Sequence, residues 1–181
     1  MKRHWIVTLI LLGLLAVAAK AACASNLLVN SSFDTNYNGW SAWKPKGQPE
    51  IVIDDEVWHS GPGSLRITGL TPTDRGSVGQ RVVVEGGTTY VLRVWMKTQD
   101  VSRPVAQIRI QFNAEKNASD KTRSHLYIGR LSGTQDWTYL EESFIVPEGT
   151  GTLTIEPFLD SAQGTAWWDD LELVAAKSEP L

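Results

Sequence analysis

At 181 residues the chain suffices for one domain with a real core. Acidic residues number 20 against 17 basic ones, a net charge of −3, which argues against nucleic acid because such partners demand a basic footprint. One cysteine allows no internal disulfide, so packing must hold the fold, with a bound metal as an available staple.

The N-terminus reads "MKRHWIVTLILLGLLAVAAKAACASNLL". Lys2 and Arg3 precede an apolar stretch over 5–19 that is too short to span a membrane, and small residues follow it. The pattern predicts a signal peptide over 1–24, with Ala22-Cys23-Ala24 as the cleavage site and a secreted or periplasmic product. Lipidation at Cys23 is the less favoured alternative, because Lys20 stands three positions earlier where such signals carry an apolar residue. Loss of Lys2, Arg3 and Lys20 leaves 14 basic residues against 20 acidic, a net charge near −6. No later segment is apolar enough to span a membrane.

From Asn26 onward, short alternating segments are punctuated by Gly, Pro, Asn and Asp, the pattern of an all-β sandwich. Strands are predicted at about 26–30, 49–54, 63–69, 77–85, 88–98, 105–113, 123–131, 137–146, 151–159 and 165–174. Gly86-Gly87 marks a hairpin, and "VPEGTGT" at 146–152 marks another turn. The domain is read as 25–175, with 176–181 a frayed tail.

Alternation separates core from display. Tyr90, Leu92, Val94 and Met96 share one face, with Val91, Arg93, Trp95 and Lys97 on the other. Ala106, Ile108, Ile110 and Phe112 face in, opposite Gln107, Arg109, Gln111 and Asn113. Leu153, Ile155 and Leu159 face in, opposite Thr154, Glu156 and Phe158. In the last strand, parity places Trp167 and Asp169 inward and Trp168 and Asp170 outward. Trp40 reads as a loop anchor and Trp137 as a cap on the core. His125 and Tyr127 can join the display face. Amides, guanidinium groups and aromatic rings on one face suit a polyhydroxylated ligand, since rings stack on sugar C–H faces and planar polar groups reach hydroxyls. An ordinary solvated sheet face explains the same pattern.

Five segments in order carry a family resemblance: "NLLVNSSFDTNYNGWSAW", "HSGPGSLRITG", "TYVLRVWMKT", "WTYLEESFIVP" and "AWWDDLELV". Together they resemble the carbohydrate-binding modules grouped with families 4, 9, 16 and 22. The resemblance implies a galactose-binding-like jelly roll of two antiparallel sheets that binds carbohydrate without catalysis. Such modules are usually appended to a glycoside hydrolase. No catalytic domain is attached here, a departure from that habit; the expected partner is a separate glycoside hydrolase and the expected state a monomer. The resemblance also implies a structural Ca2+ held by Asp34, the turn from Ser60 to Ser64, and Asp169, a hard-oxygen set that suits calcium.

Catalytic alternatives find little support. Adjacent strand residues point to opposite faces, so Asp169 and Asp170, or Glu141 and Glu142, are not expected to flank one bond. Beyond the signal no cysteine remains, and there is no Gly-x-Ser-x-Gly elbow or paired metal-spaced histidine. Asn30 and Asn117 open glycosylation sequons, where chance matches are common. The expected function is carbohydrate binding on the polar face. Trp95 is the main stacking residue, Trp43 or Phe158 a second platform, and Arg93, Gln107, Arg109, Gln111 and Glu156 the hydroxyl binders. The alternative is an extracellular or envelope structural domain that contacts proteins through the same face.

Overall fold

A computed structural model describes residues 25–114 and 124–176. The predicted signal peptide with Cys23, the sequon at Asn117 and the tail beyond Ala176 lie outside the described residues. Eight strands are present: β1 Ser41–Lys46, β2 Glu50–Asp54, β3 Ser64–Gly69, β4 Arg75–Val83, β5 Thr89–Ala114, β6 Ser124–Ile145, β7 Thr150–Asp160 and β8 Gly164–Ala175. All neighbours pair antiparallel, in the order β1-β4-β7-β5-β8-β3-β2, with β6 beside β5. Among the described residues no helix is long and apolar enough to cross a membrane.

Two predicted strands merge into β5, and two more merge into β6. The first half of β5 pairs with β8 from Tyr90 to Gln99, and its second half pairs with β7 from Ala106 to Ala114. β6 follows β5 along both halves, with register shifts between Met96 and Ile108. Asp100 sits at φ 55 within that interval. β5 and β6 therefore belong to both layers of the sandwich. One layer is β1-β4-β7 with the C-terminal half of β5; the other is β2-β3-β8 with its N-terminal half. This is the all-β jelly-roll class expected.

One core cluster fills the space between the layers. It takes Leu92, Val94 and Met96 from one half of β5, and Ile108, Ile110 and Phe112 from the other. The predicted inward faces of these strands are the buried ones. Each fully buried Leu, Ile or Phe contributes roughly 1.5–3 kcal/mol through area removed from water.

Three local expectations change. Residues 26–30 do not form a strand; Leu27 N–H donates to the Leu173 carbonyl and Leu171 N–H to that of Ser31, so the segment laces onto β8 irregularly. β1 was not predicted, because "SAWKPK" has no apolar alternation and is exposed throughout. In β8 the inward residues are Ala166 and Trp168, then Leu171 and Leu173. Asp170 adopts φ 50, and the β5–β8 register slips between Arg93 and Trp95, so a bulge resets the alternation. Trp168 is thus core rather than exposed. Trp167 is also buried, but outside the core cluster, and its indole N–H donates to Asp54 at 2.9 Å. Trp40 is the anchor expected, its indole N–H donating to the carbonyls of Val29 and Asn30.

Gly164 opens β8 at φ +113, where an added Cβ would lie 2.5 Å from the Asp100 carbonyl oxygen and 2.6 Å from Val101 Cα. Backbone, not a flexible side chain, blocks that space, and the left-handed region adds strain. Gly164→Ala is expected to cost about 2–4 kcal/mol in a urea melt. A loss below about 1 kcal/mol would show that the β5 bend gives way easily.

Candidate functional site

The layer built from β1, β4, β7 and β5 presents its outward side chains in rows set by the register. Trp43, Ser77, Phe158 and Gln107 form one row. Glu156, Arg109 and Tyr127 form the next. Arg81, Thr154, Gln111 and His125 form a third. Between Trp43 and the third row runs an open trough of about 900 Å3, lined among others by Trp43, Arg81, Arg109, Gln111, His125 and Glu156. Gly79 keeps its floor low, since a Cβ there would come within 3.2 Å of Glu156 Cγ.

Arg109 organises this surface. Its Nε donates to Glu156 Oε2 at 2.5 Å, and both side chains are close to nine-tenths buried. Its guanidinium carbon stands 4.4 Å from the Phe158 ring centroid and 5.4 Å from that of Trp43. Burial alone would lower the Arg109 pKa; the hydrogen bond and charge of Glu156 outweigh it and raise it. Arg75 approaches the same two rings at 5.2 and 5.7 Å and pairs with Asp160.

This changes the expected site. Trp43, 44% exposed, is the available platform in the trough. Phe158 is 0% exposed beneath the two arginines, so it supports Arg109 and cannot stack on a ligand. Gln107 is 3% exposed and also out of reach. Arg93 and Trp95 lie on the half of β5 that pairs with β8, so they face outward from the opposite layer. There Arg93 is held by Glu141 at 2.7 Å and Glu172 at 2.6 Å, which raise its pKa. Trp95 carries the His59 ring stacked on it at 3.8 Å and leans on Tyr139. Trp137 meets His59 edge-on rather than capping the core. Of the eight expected sugar contacts, the trough unites Trp43, Arg109, Gln111 and Glu156.

Arg81 was not among the expected residues. It stands in the trough's third row, opposite Thr154. The alternation of "RGSVGQRVV", which places Ser77, Gly79 and Arg81 on one face, was the available signal.

Of the expected metal residues, Ser60 and Asp169 come together at the opposite layer. Asp169 is 0% exposed, although it lies across from outward-facing Trp95; the 57–60 segment covers it. Its Oδ2 accepts the backbone N–H groups of His59 at 2.9 Å and Ser60 at 3.0 Å. Burial pushes its pKa up to about 6, against the lowering effect of those N–H groups, and no cation pairs with it among the described residues. The carbonyls of Phe33 and Asp34 press on Gly63, where a Cβ would fall 2.9 and 2.6 Å from their oxygens. A buried carboxylate without a cationic partner among the described residues is a hard-oxygen donor of the kind calcium takes. Ser64 is buried and its hydroxyl donates to the Val57 carbonyl at 2.6 Å, whereas the Asp34 side chain is exposed.

The bulge also overturns the argument that Asp169 and Asp170 point apart. Asp170 accepts from Ser60 Oγ at 2.6 Å and lies 2.8 Å from His59 Nδ1, so both carboxylates reach the same two residues. His59, Asp169 and Asp170 offer ligand atoms within 4.8 Å of one another.

With this geometry described, comparison with known proteins gives a direct result. Residues 25–162 match the model of the carbohydrate binding domain family of the 4/9 type. The chain belongs to this family. It is 30% identical over 166 residues to a tRNA(Glu)-specific nuclease, WapA, of Bacillus subtilis subsp. natto, covering 84% of this chain and 7% of the relative. It is 23% identical to endo-1,4-beta-xylanase A of Thermotoga maritima, covering 90% of this chain and 15% of the enzyme. The chain therefore spans less than a sixth of either relative. The solved structure of a family 16 carbohydrate binding module superposes with a TM-score of 0.56 at 23% identity, over 82% of this chain and 99% of the module. These likenesses lie with binding modules, which are typically non-catalytic.

Breaking the Arg109–Glu156 pair by Glu156→Ala leaves a buried guanidinium uncompensated and is expected to cost about 3 kcal/mol in a denaturant melt. Arg93→Ala removes exposed pairs and should cost less than about 1 kcal/mol. Equal losses would show that the trough is as well solvated as the other face.

Proposed function

We propose that the domain binds a polysaccharide chain in the trough beside Trp43. The observation that carries this reading is an exposed indole beside a rigid array of Arg109, Glu156 and Gln111 in an open channel. A sugar ring stacks its C–H face on Trp43, while the guanidinium, carboxylate and amide reach its hydroxyls. Arg109 and Glu156 hold each other, so little rotamer freedom is lost on binding. An open channel suits a stretch of a long chain. Water competes for each hydroxyl, so affinity is expected in the μM to mM range.

The likeness to part of an endo-1,4-xylanase supports a role in bringing a glycoside hydrolase to its substrate. The signal read in 1–24 would carry the domain out of the cytoplasm, where such polymers are met. A Ca2+ ion held by Asp169, Asp34 and backbone oxygens of the Ser60 to Ser64 turn would neutralise the buried carboxylate. That would tie β8 to the opening segment and leave the trough's chemistry to side chains of the other layer.

Affinity electrophoresis in soluble polysaccharide tests the site. Trp43→Ala should weaken binding about tenfold, while Trp95→Ala leaves it unchanged; the reverse ordering would move the site to the other layer. For the metal, millimolar calcium should raise the melting temperature by about 5–10 °C over chelator, and Asp169→Asn should abolish that gain. A calcium response surviving in Asp169→Asn would place the ion elsewhere.

A further inference from the structure

We infer that the trough selects acidic polysaccharides, those whose sugars carry uronate carboxylates, and that Arg81 is the residue that reads the carboxylate. This inference rests on the proposed sugar-binding role of the same trough. It starts from the charges lining it. Arg109 is matched by Glu156, and Arg75 above the same rings is matched by Asp160. Arg81 is exposed, lines the trough and has no ion-pair or hydrogen-bond partner among the described residues. The internal pairs cancel and one guanidinium is left over.

The setting makes that surplus informative. The chain as a whole is acidic, so a concave surface whose described lining carries a net positive charge runs against the global balance. Arg81 lines the same trough as Trp43, one row beyond Glu156. Thr154 and Gln111, its companions across that row, carry neutral donors and acceptors and no carboxylate that would engage it. A guanidinium presents two parallel N–H donors at the spacing of the two oxygens of a carboxylate, whereas a neutral hydroxyl takes only one of them. A uronate at this position gains a charge-assisted pair, and a neutral sugar of the same shape does not. Glu156, the carboxylate nearest the floor, is neutralised by Arg109 and so does not repel it.

The test compares one backbone with and without its charge: glucuronoxylan and polygalacturonate, each against its own carboxyl-reduced form, by affinity electrophoresis and calorimetry. Wild type should bind at least one acidic polymer about fivefold or more tighter than its reduced form, with the difference shrinking at 0.5 M salt. Arg81→Gln should erase that preference, so that charged and reduced polymers bind alike, and retain the wild-type melting temperature, since the side chain is exposed and unpaired. Equal binding of charged and reduced polymers by wild type would overturn the inference and leave the sugar-binding role standing. A preference that persists in Arg81→Gln would overturn the assignment to Arg81. Failure to bind any polymer, charged or neutral, would overturn the sugar-binding role itself.

Discussion

Strand β5 serves both layers of the sandwich, and the position of every outward-facing side chain depends on that continuity. Its two halves keep the same inward alternation, so Leu92 and Met96 meet Ile108 and Ile110 in one core. Outward residues of the two halves must then point away from each other across the whole thickness of the domain. Trp95 and Arg109 share one strand and one polarity of display, yet they belong to opposite surfaces. The bend has a definite local basis. Asp100 takes a left-handed conformation, the β6 register slips beside it, and Gly164 brings the start of β8 against its carbonyl. A longer residue at 164 would have to displace backbone, so the division of the display residues between two faces rests on one absent side chain.

Within the trough layer, rigidity comes from aromatic support under charge. Phe158 lies below the plane of Arg109 and Arg75, where its ring quadrupole and bulk fix two guanidinium groups without consuming their donors. Glu156 then takes one donor of Arg109, which lines the channel. The pair is costly to bury and would gain little over an apolar pair of the same volume. Its retention beside an exposed tryptophan is better explained by what it presents than by what it stabilises. A flat, pre-ordered array loses little entropy when a flexible polymer settles on it.

How much of this was legible depends on where alternation holds. Along Tyr90–Met96, Ala106–Phe112 and Leu153–Leu159 the period of two assigns core and display faces correctly, because each stretch is an unbroken half-strand packed on one core. Which display faces coincide is a different question. It depends on the bend at residues 98–105, and no local pattern there announces that one strand changes layers. β8 shows the other limit. A single bulge at Asp170 inverts the parity on one side of it, so Trp168 enters the core and Asp169 joins Trp167 on the far side. β1 escaped notice because "SAWKPK" buries nothing; it is a strand only by hydrogen bonding to β4. Trp43 could be read as displayed, but its neighbours could not.

The same bulge explains why the closing segment "WWDDLEL" looks like chemistry and behaves as a joint. Regular pleating would place one aspartate in the apolar core, at a desolvation cost of several kcal/mol for a lone carboxylate. Turning Asp170 to φ 50 lets both acids reach His59 and Ser60, whose N–H and side-chain groups accept the load. Asp170 keeps partial contact with water and a histidine partner; Asp169 has neither. Three backbone N–H bonds, from His59 and Ser60 to Oδ2 and from Asp170 to Oδ1, offset only part of its desolvation, which is why its pKa is still driven upward. The proposed calcium ion would supply a positive centre beside this buried carboxylate.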